Sequence, residues 1–159
     1  MRKLLLGSVV ALIAVAGGAA IALAADTDPV VGTWQLNAAK STFSSGPALK
    51  NQTRTYSQSG DKITLVMTTV GPNGKEVTTH TTYQLNGKDF PVTGTADYDS
   101  LAARRVNSHT TEFTLKKGGQ PIGTTSRTVS KDGKTLTSKL NITTAAGDKS
   151  DGVLVFDRK

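Results

Sequence analysis

Beyond residue 25 the chain carries almost no helical periodicity; Thr, Val, Ile and Tyr recur instead at every second position. Such alternation marks strands with one face buried and the other in water. The pattern predicts ten strands, over 31–37, 53–57, 62–70, 75–85, 89–93, 98–106, 110–117, 120–130, 135–144 and 150–158. Turn signals separate many of them: Ser59-Gly60-Asp61, Gly71-Pro72-Asn73-Gly74, Asn86-Gly87-Lys88, Gly118-Gly119, Lys131-Asp132-Gly133-Lys134 and Ala146-Gly147-Asp148. Asn86-Gly87 is the strongest two-residue hairpin signal among these. Pro91 cannot donate a ladder hydrogen bond, which places its strand beside a gap or at an irregular edge. Between 38 and 52 there is room for one helical turn around 38–42, because Ser44-Ser45-Gly46-Pro47 breaks anything longer.

Ten meandering strands form either an open sandwich or a closed barrel. The apolar positions are mostly one-sided: Ile63, Leu65 and Met67; Phe113 and Leu115; Leu136, Leu140 and Ile142. One buried face per strand under a Thr-rich outer face fits closure, which also removes exposed edges. The expected fold is an all-β, up-and-down antiparallel barrel occupying residues 25–159.

Residues 1–24 read as a secretory signal peptide. Arg2 and Lys3 open it, an apolar run follows, and Ala22-Leu23-Ala24 suits a peptidase cutting before Ala25. The other reading is an uncleaved anchor, since about 20 apolar residues can span a bilayer. Cleavage is favoured, which predicts a periplasmic or secreted protein with no stable membrane insertion. The chain has no cysteine, so neither a lipidated cysteine nor a disulfide is available and the core must hold the fold unaided. Removing Arg2 and Lys3 leaves 17 basic against 12 acidic side chains, a net charge of +5. These charges are scattered and aromatics are few, which argues against nucleic-acid binding.

The two ends of the mature chain carry the sharpest motifs. They are Val31-Gly32-Thr33-Trp34-Gln35-Leu36 and Val155-Phe156-Asp157-Arg158-Lys159. First and last strands of a closed barrel must pair, so the Arg158 guanidinium can stack on the Trp34 indole and close the barrel floor. These segments resemble fatty-acid-binding proteins, within the broader lipocalin-like superfamily, and the small exported lipocalin-like proteins of bacteria. The resemblance is carried by about a dozen residues; between them it rests on strand number and hairpin order. It implies an interior ligand site. Two departures stand out. The Arg-x-Tyr pair with which those proteins grip a carboxylate is replaced by Leu154 and Phe156, and the two-helix lid has no counterpart in residues 38–52.

Polar residues in phase with apolar ones are the candidate ligand contacts. Arg127 shares phase with Thr125 and Val129, Arg54 with Tyr56, and Arg105 with Leu101 and Ala103. An inward arginine costs several kcal/mol in desolvation unless it meets an anion, a carboxylate or trapped water. The alternative places each arginine outside among threonines. Arg127 is the leading substitute for the missing carboxylate grip, and Phe113, Leu154 and Phe156 are candidate wall residues. Tyr83 reads as core.

Catalytic chemistry finds little support. His80 and His109 lie on different hairpins, His80 on the face opposite Val77 and Leu85, and no spacing supplies a third metal ligand. The Asn51 and Asn141 glycosylation triplets are what a Thr-rich chain yields by chance. The expectation is a non-enzymatic exported barrel, without cofactor or metal, binding a small apolar or amphipathic molecule. Its alternative is a barrel filled with side chains that works through protein contact as an envelope adaptor or inhibitor. A cavity of roughly 300 Å³ or more would separate the two.

Overall fold

The computed structural model describes residues 26–45, 48–143, 147 and 149–159. The expected signal peptide and its expected cleavage site lie outside these residues. The strands are β1 (Gly32–Leu36), β2 (Thr42–Phe43), β3 (Asn51–Ser59), β4 (Lys62–Val70), β5 (Glu76–Tyr83), β6 (Asn86–Thr93), β7 (Ser100–Arg105), β8 (Thr110–Lys117), β9 (Gln120–Val129), β10 (Thr135–Thr143) and β11 (Lys149–Arg158). Leaving aside the two-residue β2, consecutive strands pair antiparallel from β1 through β3 and onward to β11, and β11 returns to β1. The result is a closed, ten-stranded, up-and-down β-barrel.

Ladder register fixes which side chains face inward. On β3 these are Gln52, Arg54 and Tyr56; on β5, Thr79, Thr81 and Tyr83; on β11, Gly152, Leu154 and Phe156. Threonines pair across the outer wall, as in the 2.9 Å contact between the Thr64 and Thr82 hydroxyls. Trp34, Ile63, Tyr83, Val129, Leu136 and Phe156 are all but fully buried and pack together at one end, where Val30 from the preceding segment joins them. At the other end Leu65, Met67, Leu140 and Ile142 remain only half-buried, because they face an open interior.

Three features differ in detail from the pattern. Residues 38–40 form one turn of 3-10 helix, whose Asn37 side chain accepts from the Lys40 amide. β2 then follows it along β11, so β1 and β2 lie end to end against the same strand. Gly152 permits this, since an added Cβ would collide with the Thr42 carbonyl. Asn86 and Gly87 do not make a tight two-residue hairpin; they begin β6, and Asn86 already pairs with Arg104 of β7. β5 and β6 are in register only at His80/Thr93 and Thr81/Val92. Pro91 thus stands beside a gap, as its missing N–H requires, and its carbonyl is held by the Thr81 hydroxyl at 2.9 Å.

Candidate functional site

The closed end is built on the paired termini. Trp34 and Arg158 are direct cross-strand partners, and the guanidinium lies 4.2 Å from the indole centroid. Arg158 also donates to the carbonyls of Pro29, Val31 and Gly133 at 2.6–2.7 Å. The indole Nε1 donates to the Val30 carbonyl at 2.7 Å. Gly32 makes room for this stack: its φ is +132°, and a Cβ there would come within 2.5 Å of Arg158 Nη1. The Gly-x-Trp spacing therefore encodes a clearance for arginine as well as a strand start.

Above this floor the barrel encloses a cavity of about 850 Å³. Its wall includes Arg54, Tyr56, Phe113, Arg127 and Leu154, and its mouth is formed by the β4–β5 turn, the β6–β7 connection around Thr95–Tyr98, and Leu49. Two of the expected site residues, Phe156 and Arg105, do not line it. Phe156 lies beneath the cavity, under Arg54, whose guanidinium sits 4.3 Å from its ring centroid. Arg105 follows the inward Leu101 and Ala103, but it comes at the end of β7 and turns beneath the barrel. There its Nη2 donates to the Asp28 carboxylate at 2.7 Å.

Arg127 faces inward and is 2 % exposed. Its Nη1 donates to the Tyr83 hydroxyl at 2.6 Å, its Nη2 to Thr111 at 3.2 Å, and Asp28 lies 3.9 Å away. The Tyr56 and Phe113 rings flank it at 5.0 and 5.2 Å. Burial opposes its charge, but Tyr83, Tyr56 and Asp28 together hold its pKa above that of an ordinary arginine. Burial also pushes the Tyr83 phenol up to about 12, against the pull of Arg127, so it is a neutral hydroxyl at physiological pH. Arg127 is therefore a tied wall residue, and the role of free carboxylate grip foreseen for it is not what its bonding suits.

Arg54 is bound differently. Its Nε donates to Gln52 Oε1 at 2.9 Å, and Gln52 is itself anchored through Nε2 to the Thr69 hydroxyl at 2.8 Å. Among the described residues no carboxylate lies within ion-pair distance of it. Tyr98, in the connection before β7, reaches the same space; burial raises its pKa and nearby Arg54 opposes that rise.

Asp28 is the residue that periodicity could not find. It lies in the irregular segment ahead of β1, where its buried carboxylate accepts from the Val30 amide and serves two arginines from distant strands. The only hint in the sequence is indirect: an inward Arg127 requires a counter-charge. His80 is exposed on the outer wall, as its phase requires, and His109 lies in the β7–β8 turn.

No protein-family model matches the sequence, and no curated protein matches it. Solved structures of similar shape include Rv2717c from M. tuberculosis, with a TM-score of 0.52 and 13% identity over 82% of this chain and 93% of that one. Another is EF1p2_mFAP2b bound to DFHBI, with a TM-score of 0.50 and 12% identity over 82% of this chain and 94% of that one. At such identities the likeness establishes the fold: a ten-stranded antiparallel β-barrel.

Proposed function

We propose that this chain is an exported, non-enzymatic barrel of the lipocalin-like type, holding a small apolar or amphipathic molecule in its interior. The observation that carries this reading is the cavity of about 850 Å³, well above the roughly 300 Å³ that a small-molecule pocket needs. Its walls combine aliphatic and aromatic side chains such as Leu65, Met67, Phe113 and Leu154 with polar ones such as Gln52, Arg54, Thr79 and Ser138, so the site can bind by burial and orient by hydrogen bonds. A barrel working through protein contact has no need of that space. Val106 is the one large apolar side chain exposed among the described residues, too little for a docking patch.

The remaining parts of the reading have separate supports. Export rests on residues 1–24 and on the cysteine-free composition. The non-enzymatic assignment rests on the lack of a recognisable acid–base pair in the sequence. The lipocalin-like affiliation rests on the paired Gly-x-Trp and terminal Arg motifs, and the DFHBI-bound barrel is an instance of a similar fold with a small molecule. The test is native mass spectrometry of protein purified from its own cells. A co-purifying molecule of a few hundred daltons supports the carrier; an empty barrel that recovers a stoichiometric protein partner supports the contact reading.

A further inference from the structure

Of the two buried arginines that line the cavity, Arg54 is the one that no carboxylate of the described residues meets. The Arg54 side chain is more than nine-tenths buried, yet only its Nε has a hydrogen-bond acceptor. Gln52 fixes that edge of the guanidinium and the Phe156 ring supports its face at 4.3 Å. Both Nη groups are left without a protein acceptor among the described residues, in a side chain that lines the cavity. Asp28, which answers charge at the floor, is taken by Arg105 at 2.7 Å and lies 3.9 Å from Arg127.

A buried guanidinium with no counter-charge is costly, and the fork of two Nη groups matches the two oxygens of a carboxylate. The Tyr56 and Tyr98 hydroxyls line the same space and have no hydrogen-bond partner among the described residues. The same wall carries Leu65, Met67, Leu140 and Ile142, which can take a hydrocarbon tail, beside polar residues such as Thr69, Thr125 and Ser138. We propose that Arg54 is the anion-binding group of this cavity and that its ligand is an amphipathic carboxylate, headgroup on Arg54 and tail against the aliphatic wall. Gln52 is a positioning residue, acting by holding the guanidinium through Nε. This inference deepens the carrier reading and rests on it.

The test is calorimetric titration of the mature protein with dodecanoate and with 1-dodecanol, which share a tail and differ in headgroup charge. Wild type should bind dodecanoate about 10- to 150-fold more tightly, as expected for a charge-assisted hydrogen bond. Arg54→Met should weaken dodecanoate by that factor and leave dodecanol unchanged, while Arg54→Lys keeps most of the preference. Lys139→Gln, which removes a positive charge from the outer wall, should alter neither ligand. Wild type binding both ligands equally overturns the role of Arg54 and leaves the carrier reading standing. Binding of neither by wild type overturns both. An Arg54→Met protein that keeps the preference also overturns it. Should Arg54→Met fail to fold, the wild-type preference, its loss at high salt and the Arg54→Lys result decide the question.

Discussion

Asp28, in the segment preceding β1, accepts a 2.7 Å hydrogen bond from Arg105 at the far end of β7, and its own side chain is almost wholly buried. The bond draws the irregular start of the domain across the closed end of the barrel. The Val30 amide holds the other carboxylate oxygen at 2.9 Å, and the Asp28 amide donates to Gln58 at 2.7 Å. One carboxylate thus connects the entry segment to β7 and, at longer range, to Arg127 of β9.

The two ends of that contact should behave unequally. Asp28→Asn removes the counter-charge from buried Arg127, a loss of about 3–5 kcal/mol for a broken buried pair. Arg105→Gln removes one partner of a buried carboxylate that keeps Arg127 at 3.9 Å, so it should cost less, about 1.5–3 kcal/mol. Urea unfolding of the two variants measures the difference. Equal losses would mean that Arg127 draws nothing from Asp28.

The floor yields a second expectation. Trp34→Ala removes a fully buried indole and should cost about 3–5 kcal/mol. Gly32→Ala adds one methyl group, yet it forces a strained φ and pushes on Arg158, at a cost of about 1–3 kcal/mol. In an Arg158→Ala background the steric part of that cost should shrink, while the backbone strain remains. Thermal melts of the single and double variants form the cycle. A Gly32→Ala penalty unchanged by Arg158→Ala would remove the clearance role.

The strands were legible because each buries one face, so a period of two survives even in a chain dominated by threonine. Lys62–Val70 and Thr110–Lys117 begin and end where the alternation does. β2 was not legible, since two residues carry no period and their pairing is decided by the unused length of β11. Asn86-Gly87 misled because β6 takes its partners from β7 at that point, a tertiary choice that overrides turn propensity. The same limit governs the site. Phase offered Arg54, Tyr56 and Arg127 as inward positions without deciding between inside and outside, and phase says nothing of partners. Arg127 meets Tyr83 and Asp28 from remote parts of the chain, whereas Arg54 rests on the ring of remote Phe156 and hydrogen-bonds its neighbour-but-one, Gln52.

Tyr83 makes a prediction in pH. Its folded pKa, about 12, lies above the ordinary value of 10.0, with burial as the largest cause. A group raised in the folded state contributes stability that is complete below its unfolded pKa and is lost as pH rises toward the folded one. The Tyr83 contribution should therefore be complete and independent of pH up to about pH 10 and be lost between about 10 and 12. Tyrosinate absorbance should show a component near pH 12 that Tyr83→Phe removes. The same substitution should cost about 1–3 kcal/mol at neutral pH, because Arg127 Nη1 loses its acceptor. A titration in which all tyrosines ionise together near 10 would contradict the burial of this phenol.

The open half of the barrel can be told from the packed half by overfilling each in turn. Leu140 and Leu136 lie on the same face of β10, one turned into the cavity and the other packed on the floor with no exposed surface. Leu140→Trp adds bulk to empty space, so stability should stay within about 1 kcal/mol of wild type. Leu136→Trp forces the same bulk into a close-packed cluster with Trp34 and Phe156, and should cost about 1–3 kcal/mol or more. Binding should follow the opposite order. Leu140→Trp should lose capacity for dodecanoate and dodecanol alike, because it takes up tail space and leaves Arg54 in place. Leu136→Trp, where folded, should retain both ligands. Chemical denaturation paired with calorimetry on the two variants provides the readout. Equal destabilisation by the two tryptophans would show the upper interior to be as closely packed as the floor, and the carrier reading would fall with its cavity.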